Sequence, residues 1–302
     1  MTRVSCSVTA RITKKAISTW VERWRDREVA LGDPSPFGVT DAGSRDFRGV
    51  SLRNVVLKDS VVGDADFTAA DLDHMRIENC ALRNCNFDRA TLTQLVTKAS
   101  RFDDCRFRKA DLRIANIGYC GTDFCRCVFD GVRVTRAGFL NAVFTDVEFI
   151  GKDWSHTVFN ASGFWNCSFR GALKGITFRG DYLFPTQREI AGEPHRTGLH
   201  NVSFANADLH WVEFSNGCKL ENVVLPTNGS VFICQARNLI SAYASFGPGS
   251  KEHEVLTRYL GIVRPNPLKQ SEEIISRNDL IKLGGDEMGA MLYALLKSRL
   301  RN

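Results

Sequence analysis

The chain carries a large apolar residue at every fifth position through much of its length. Counting in fives from Phe47 to Ile117, every position except Thr97 is apolar, and after a two-residue shift the series continues from Phe124 to Phe169. Neither the spacing of an amphipathic helix nor the alternation of a strand gives this period. A chain that turns a corner every five residues does give it, and four such corners close a square turn of about 20 residues.

The positions that precede each large residue are selective as well. Asp or Asn often stands directly before it, as Asp66 stands before Phe67, and such side chains can bond nearby backbone at a corner. The position two before it usually holds a small residue, which suits a crowded corner. Cysteine takes that position repeatedly and is expected there as a buried, structural thiol. These cysteines are Cys80, Cys85, Cys105, Cys127 and Cys167.

Segments of the series resemble a known repeat. Residues 65–69 (ADFTA), 70–74 (ADLDH) and 110–114 (ADLRI) are similar to the A-(D/N)-L-x-x signature of the pentapeptide repeat family. The resemblance extends over roughly residues 45 to 225. It implies an all-β solenoid, the right-handed quadrilateral β-helix of that family, and it leaves function open because family members have different roles.

Three regions follow from where the period begins and ends. Residues 1–44 contain an amphipathic helix over 10–31, which we expect to cap the open first turn. Residues 45–225 form the β-helix, with an insertion loop at 181–198. Residues 226–302 are expected to form a small, mainly α-helical segment.

Within the C-terminal region the sequence predicts a strand at 231–233 and helices at 251–263, 271–283 and 286–301. The last of these helices has an apolar face. That face can cover the open coil or form a homodimer through residues 286–301. The face consists of Met288, Met291, Leu292, Leu295 and Leu296.

The insertion is the main candidate for a partner-binding site, since loops on rigid scaffolds often carry binding function. A tolerated insertion without function is the alternative. The candidate residues in this loop are Tyr182, Phe184, Arg188, Glu189, His195 and Arg196.

Charge gives a second, weaker candidate. The net charge is +6, and residues 45 to 180 contain 20 Lys and Arg against 16 Asp and Glu. Arg89, Arg106, Arg108 and Lys109 form a candidate basic patch on one side of the coil. Asp88, Asp103 and Asp104 dilute it, so a solvated surface is favoured over nucleic-acid binding.

The sequence contains no pattern typical of a catalytic, metal or cofactor site, so we expect no enzyme activity, metal or cofactor. His200 and His210 are two pentapeptides apart, on opposite sides of the predicted coil. Cys120, Cys125 and Cys127 lie at the frame shift, where one or two can point outward, and a redox role for them stays open.

These observations favour a non-enzymatic, rigid protein-binding or scaffold module. The family resemblance also allows a topoisomerase-protecting resistance or immunity protein, although such relatives have strongly acidic rods, or a bacterial effector delivered to a host cell. No signal-peptide pattern follows Met1 and no stretch is long enough to span a membrane. We therefore expect a bacterial cytoplasmic protein with a protein partner, or one secreted by a route independent of a signal peptide.

Overall fold

The square turn predicted from the sequence is the building unit of the molecule. The computed structural model describes residues 35, 37–151, 154–194, 196–263 and 270–299, with the backbone alone at 262 and 263. There the chain forms a parallel β-solenoid of about nine turns and a small C-terminal helical segment, which confirms the predicted fold class. In most turns the strand partners lie 20 residues apart, as Val61 and Ala81 do. The helix predicted over 10–31 lies outside the described residues.

We call residues 45–225 the rod and number its sides as faces 1 to 4 in chain order. Face 1 carries β1 (Arg45–Asp46), β4 (Ala65–Asp66), β11 (Val128–Asp130), β14 (Glu148–Ile150), β17 (Ser168–Lys174) and β20 (Ser203–His210). Face 2 pairs through isolated parallel bridges such as Ser51 with Asp71. Face 3 carries β2 (Val56–Lys58), β5 (Arg76–Glu78), β7 (Val96–Lys98), β9 (Asn116–Tyr119), β12 (Gly138–Leu140), β15 (Val158–Asn160), β18 (Thr177–Arg179) and β21 (Glu213–Ser215). Face 4 carries β3 (Val61–Gly63), β6 (Ala81–Arg83), β8 (Arg101–Asp103), β10 (Thr122–Cys125), β13 (Ala142–Thr145), β16 (Gly163–Trp165), β19 (Gly198–His200) and β22 (Leu220–Glu221).

Each corner is made by one residue in the left-handed region, usually two positions after the large apolar residue. Asn54, Asp59 and Asp64 have φ values of 59°, 51° and 49° at successive corners of the first turn. Asn and Asp tolerate this conformation better than other L-residues, which explains their frequency there. The Asp before the large residue also bonds backbone as predicted: Asp66 Oδ1 accepts a hydrogen bond from the Thr68 N–H at 2.9 Å.

The large residues fill the inside of the rod as stacked columns. On face 1 the rings of successive turns stack with centroids 4.5–5.5 Å apart, and their side chains are at most 2% exposed. Offset stacking of this kind adds to the burial of apolar area. The column consists of Phe47, Phe67, Phe87, Phe107, Phe129, Phe149, Phe169 and Phe204.

The C-terminal unit, residues 231–299, covers the last turn of the rod. Its two-stranded antiparallel sheet is formed by β23 (Val231–Gln235) and β24 (Glu272–Ser276). Because strand side chains alternate, Ile274 packs into the rod core and Ile275 into a second core. The helices around that second core are α2 (Ala236–Ala244), α3 (Lys251–Val263), α4 (Arg277–Gly284) and α5 (Asp286–Ser298), while α1 (Pro185–Ala191) lies in the insertion.

The structure corrects one of the helices predicted in this unit. Residues 272–276 are strand β24 and not the start of a helix, and Ser276, not Ser271, caps α4 through its hydroxyl, which accepts from the Asp279 N–H. Ser271 followed by Glu272 and Glu273 is also the pattern of a helix N-terminus, but pairing with β23 takes precedence because it closes the end of the rod.

The apolar face of α5 is used largely within the chain. Leu292 and Leu296 are fully buried in the second core, and Met288 packs against it. Met291 is 43% exposed. A homodimer through residues 286–301 therefore stays a prediction, and Leu292 and Leu296 are not available to form it.

Candidate functional site

Among the described residues of the rod, the two longest insertions both lie at the corner between faces 3 and 4. The first adds residues between β9 and β10, around Gly121, and the second is residues 181–197, which we call the strap. The strap leaves the rod after β18 and returns at β19, three turns beyond the first insertion. The loop predicted at 181–198 lies back along the corner and contacts the first insertion.

The first insertion interrupts the ladder of backbone hydrogen bonds, and two groups compensate for this. The buried Thr97 hydroxyl accepts a hydrogen bond from the Gly118 N–H at 3.0 Å. The Cys120 N–H donates to the Ala191 carbonyl of the strap at 2.8 Å. The strap thus supplies an acceptor for a backbone N–H that the neighbouring turn no longer pairs.

Asn141 is the main polar anchor of the strap. This corner residue is 1% exposed, and its Nδ2 donates to the carbonyl oxygens of Ala191 at 3.1 Å and Glu193 at 3.2 Å. Its φ of 61° places the side chain at the corner, where the strap crosses. One amide thus satisfies two backbone carbonyls of the strap.

Tyr182 closes the strap on itself. Its hydroxyl donates to the Gly192 carbonyl at 2.8 Å, and its ring packs with Ala161 and Ala191. Burial raises the pKa of Tyr182 to about 12, so the hydroxyl stays protonated and remains a donor at physiological pH. The Tyr182 carbonyl in turn accepts from Asn216 Nδ2 at 3.3 Å, which ties the start of the strap to the rod.

Helix α1 sits in the middle of the strap and is closed at both ends. Pro185 occupies its first turn, where the missing N–H is no loss. Gln187 Oε1 accepts from the backbone N–H groups of Leu183 and Phe184, both at 3.0 Å. Arg188 bridges Asp181 at 2.8 Å and Glu193 at 2.6 Å.

A stack of three side chains holds the exit of the strap. The Trp165 ring packs against Gly163, where a Cβ would lie 2.3 Å from the ring atom Cζ3. The Arg196 guanidinium carbon lies 4.0 Å from the centre of the Trp165 ring, and the His200 ring stacks on that ring at 4.7 Å. The His200 imidazole also contacts Glu221, with Nδ1 2.9 Å from Oε2. Cation–π and stacking contacts therefore fix Arg196 on the rod.

The outer side of the strap is apolar. Leu183, Phe184 and Ile190 are 42%, 58% and 62% exposed. They belong to the nine large apolar side chains that are exposed among the described residues, so a third of that set falls in this one segment. Glu189 is exposed beside them.

The six residues predicted in the loop therefore divide into two groups. Tyr182, Arg188 and Arg196 hold the strap in place, whereas Phe184 and Glu189 face outward. His195 lies outside the described residues. The sequence reasoning missed Leu183 and Ile190, although two further apolar residues in an otherwise polar insertion were a usable signal. It also missed the anchors Asn141 and Trp165, for which the sequence carries no signal without the corner geometry.

The basic patch is partly neutralised. Arg106 pairs with Asp88 at 2.9 Å and Arg108 with Asp130 at 3.0 Å. Arg89 and Lys109 occupy successive positions of the corner between faces 1 and 2, with φ values of 58° and 55°. The patch stays a prediction, and half of its cations are already paired on the rod.

The cysteines occupy the places expected from the repeat. Cys80, Cys85, Cys105, Cys127 and Cys167 are buried, whereas Cys120 is exposed and Cys125 is partly exposed. Burial raises the pKa of Cys167 to about 12.

Within the described ranges no three His, Cys, Asp or Glu side chains are grouped so that they could hold a metal ion. His200 and His210 lie on faces 4 and 2, on opposite sides of the rod as predicted.

The helices of the described segments are all too short or too polar to cross a membrane.

The cavities nearest to the strap corner are shallow. One of about 410 Å³ runs along the uncovered part of that corner, from Asp59 to Gly121.

Comparisons with known proteins bear on the repeat. The family model for pentapeptide repeats matches residues 46–84 and 65–95, with eight copies. No curated protein sequence matches the chain.

Among solved structures, the chain is similar to HetL, a pentapeptide repeat protein involved in heterocyst differentiation regulation from the cyanobacterium Nostoc sp. strain PCC 7120. That match has 16% identity and a TM-score of 0.25, and it covers 61% of this chain and 89% of HetL. Trypsin-treated QnrB1, a plasmid-mediated fluoroquinolone resistance protein, matches with 18% identity and a TM-score of 0.27 over 72% of this chain and 95% of that one. Rfr23 from the cyanobacterium Cyanothece 51142 matches with 12% identity and a TM-score of 0.15, over 58% and 90%.

Proposed function

From the premise that this chain is a pentapeptide repeat protein, we propose that it is a non-enzymatic, rigid protein-binding module and that the strap is its docking surface. The observation that carries the proposal is the outward exposure of Leu183, Phe184 and Ile190 on a segment that is itself firmly anchored. Exposed apolar side chains that are concentrated in one segment of a folded protein can mark an interaction site.

Rigidity of the strap supports the proposal energetically. Asn141, Tyr182 and Arg196 already fix the backbone beneath the apolar side chains. A partner that docks there need not order the segment, so less conformational entropy is lost on binding. Phe184 is the expected anchor, since aromatic residues dominate the binding energy of most interfaces.

The charge distribution favours this proposal over a topoisomerase-protecting role, for which a strongly acidic rod is expected. Acidic side chains of the rod are repeatedly paired with arginines, as Asp103 is with Arg101 at 2.7 Å and Asp104 with Arg126 at 2.7 Å. Such pairing leaves alternating charge rather than an acidic stripe on these turns. A topoisomerase-protecting role therefore has less support from the described rod than protein binding through the strap.

Affinity capture with matched variants tests the proposal. The full chain is immobilised and exposed to lysate of the source cell, and captured proteins are quantified by mass spectrometry. The double variant Phe184→Ser/Ile190→Ser removes the apolar surface, and Ile240→Ser, at a side chain 45% exposed on α2, is the matched control. We expect a protein that the wild type and the control retain and the double variant loses. Equal capture by all three would show that the strap is not the docking surface.

A further inference from the structure

The junction between the rod and the C-terminal unit contains a buried carboxylate. Asp279 lies in the first turn of α4 and is 2% exposed. Its Oδ2 accepts a hydrogen bond from the backbone N–H of Trp211 on the rod at 2.8 Å. Beside it, the Ser276 hydroxyl reaches the Leu209 carbonyl at 3.5 Å. Asp279 thus joins the C-terminal unit to the rod directly, beside the apolar packing of Ile274 in the rod core.

The imidazole of His210 lies between Asp279 and a second carboxylate. Its Nε2 is 2.8 Å from Asp208 Oδ2, and its Nδ1 is 3.7 Å from Asp279 Oδ1. Among the described residues, His210 Nδ1 and Asp279 Oδ1 are both buried without a hydrogen-bond partner. Two unsatisfied polar atoms therefore face each other, just beyond hydrogen-bonding distance.

The count of protons explains why these two atoms do not bond. A neutral imidazole has one N–H, and the short contact to Asp208 uses it at Nε2. The lone pair of Nδ1 then faces a carboxylate oxygen of Asp279, so two acceptors oppose each other. One additional proton, on either the ring or the carboxyl, converts this pair into a donor and an acceptor.

We propose that the rod and the C-terminal unit share one titratable proton between His210 and Asp279, and that the unit is held more tightly on the rod when this proton is bound. Two interacting groups of this kind take up the proton together, so the tightening does not depend on which of the two carries it. The consequence is a junction that tightens as the pH falls and loosens as it rises.

The surrounding charges set the limits of this effect. Lys174 on β17 is the register partner of His210, and Lys282 on α4 lies with its ammonium 6.0 Å from the centre of the Trp211 ring. Both cations oppose proton uptake. Tyr259 on α3 stays neutral, because burial raises its pKa.

Burial acts in the direction of proton uptake at the carboxyl. Desolvation raises the pKa of Asp279 above its usual range, against the opposing effect of the Trp211 N–H. A carboxyl with a raised pKa in the folded protein contributes its stability at low pH and loses it as the pH rises through the folded value. The same direction of pH dependence is expected from the two acceptor atoms, His210 Nδ1 and Asp279 Oδ1, that face each other.

Hydrogen exchange of the full-length protein measures the junction directly. Protection of the amides in residues 203–211 and 277–284 is compared at pH 5.5 and pH 8, after correction for intrinsic exchange. We expect wild-type protection to be at least roughly tenfold higher at pH 5.5, within the one-proton limit of tenfold per pH unit. A wild-type profile that is flat in pH overturns the proposal without recourse to any variant.

Substitutions at Asp279 and His210 then test whether these two residues cause the pH dependence. In Asp279→Asn the amide oxygen can still accept from Trp211 and the amide nitrogen can donate to His210 Nδ1, so the variant copies the protonated state. We expect it to retain protection at pH 8 and to lose the pH dependence, while Asp286→Asn, at an exposed carboxylate of α5, keeps the wild-type profile. His210→Gln should also remove the pH dependence of the protection, so this variant tests the assignment even if Asp279→Asn does not fold. Wild-type pH dependence in both His210→Gln and any folded Asp279→Asn would overturn the assignment.

Discussion

The backbone N–H of Cys120 donates to the carbonyl oxygen of Ala191 across 2.8 Å, and this bond joins two insertions that lie far apart in the sequence. The extra residues before β10 remove the acceptor that the next turn would offer at this corner. The strap returns along the same corner and supplies another. One departure from the five-residue period thus compensates for the other, and the apolar surface at Phe184 is held in place as a result.

Removal of the Asn141 side chain should loosen the strap. Asn141→Ala deletes both hydrogen bonds to the strap carbonyls and leaves the Glu193 oxygen without this donor. Loss of a buried hydrogen-bond partner costs about 1–3 kcal/mol. We expect faster hydrogen exchange and faster proteolysis within residues 181–197, while the rest of the rod keeps wild-type protection.

The control for Asn141→Ala is Asn166→Ala. Asn166 occupies an equivalent left-handed corner position, with φ of 53°, but its amide bonds exposed neighbours on the rod: Nδ2 donates to Asp146 at 3.1 Å and Oδ1 accepts from Asn201 at 2.8 Å. Both substitutions change the same backbone propensity, so their difference isolates the contacts to the strap. Equal exchange rates of the strap in the two variants would show that Asn141 is not an anchor.

The fold could be predicted from the sequence because each turn repeats the same local rule. Phe67, Phe87 and Phe107 lie at identical positions of successive turns, and a single chain therefore reports the pattern many times over. The role of Thr97, the one polar residue in the apolar series up to Ile117, could not be predicted from the sequence. Its hydroxyl is needed by the Gly118 N–H, which is displaced only because the insertion follows.

The candidate site was less accessible to sequence reasoning. The five-residue pattern alone located the insertion and Phe184. The direction of the strap depends on contacts such as that between Asn141 and Glu193, and the five-residue period gives no relation between these two positions. The same limit explains the error at 272–276. The residues before Ile274 are compatible with a helix start, and the strand forms because β23 and the open end of the rod offer a partner.

Truncation of a ring in the phenylalanine column should destabilise the rod strongly. Phe149 is fully buried, and its ring stacks on Phe129 at 5.5 Å and on Phe169 at 4.5 Å. Phe149→Ala should lower the free energy of unfolding by about 3–5 kcal/mol, because a large cavity replaces stacked rings. Urea denaturation followed by circular dichroism measures this. Phe184→Ala, at an exposed ring, should change the same quantity by less than about 0.5 kcal/mol. A similar effect of the two substitutions would contradict the assignment of the column to the core.

Thiol reactivity should separate the cysteines by their position on the coil. Cys120 is exposed at the first insertion, whereas Cys167 is buried and its pKa is raised to about 12, so its thiolate is scarce at neutral pH. Brief treatment of the native protein with iodoacetamide at pH 7.5, followed by peptide mass spectrometry, should modify Cys120 and leave Cys167 intact. Both should react after unfolding in urea. Comparable native labelling of Cys167 and Cys120 would contradict the inward orientation of the small repeat position.

Two glycines on the corner between faces 1 and 2 should respond differently to the same substitution. Gly171 has φ of 97°, and a Cβ there would lie 2.3 Å from the Gly151 carbonyl oxygen, so Gly171→Ala must displace backbone as well as adopt an unfavourable conformation. Gly49 has φ of 65° and open space around it, and Ala69 already occupies the equivalent corner one turn later at φ of 56°. Gly49→Ala should therefore cost only about 1–2 kcal/mol, the usual penalty of the left-handed region. Gly171→Ala should add about 1–3 kcal/mol for overpacking. Thermal unfolding of the two variants tests this, and an equal loss of stability would mean that the stacked glycines are not in close contact.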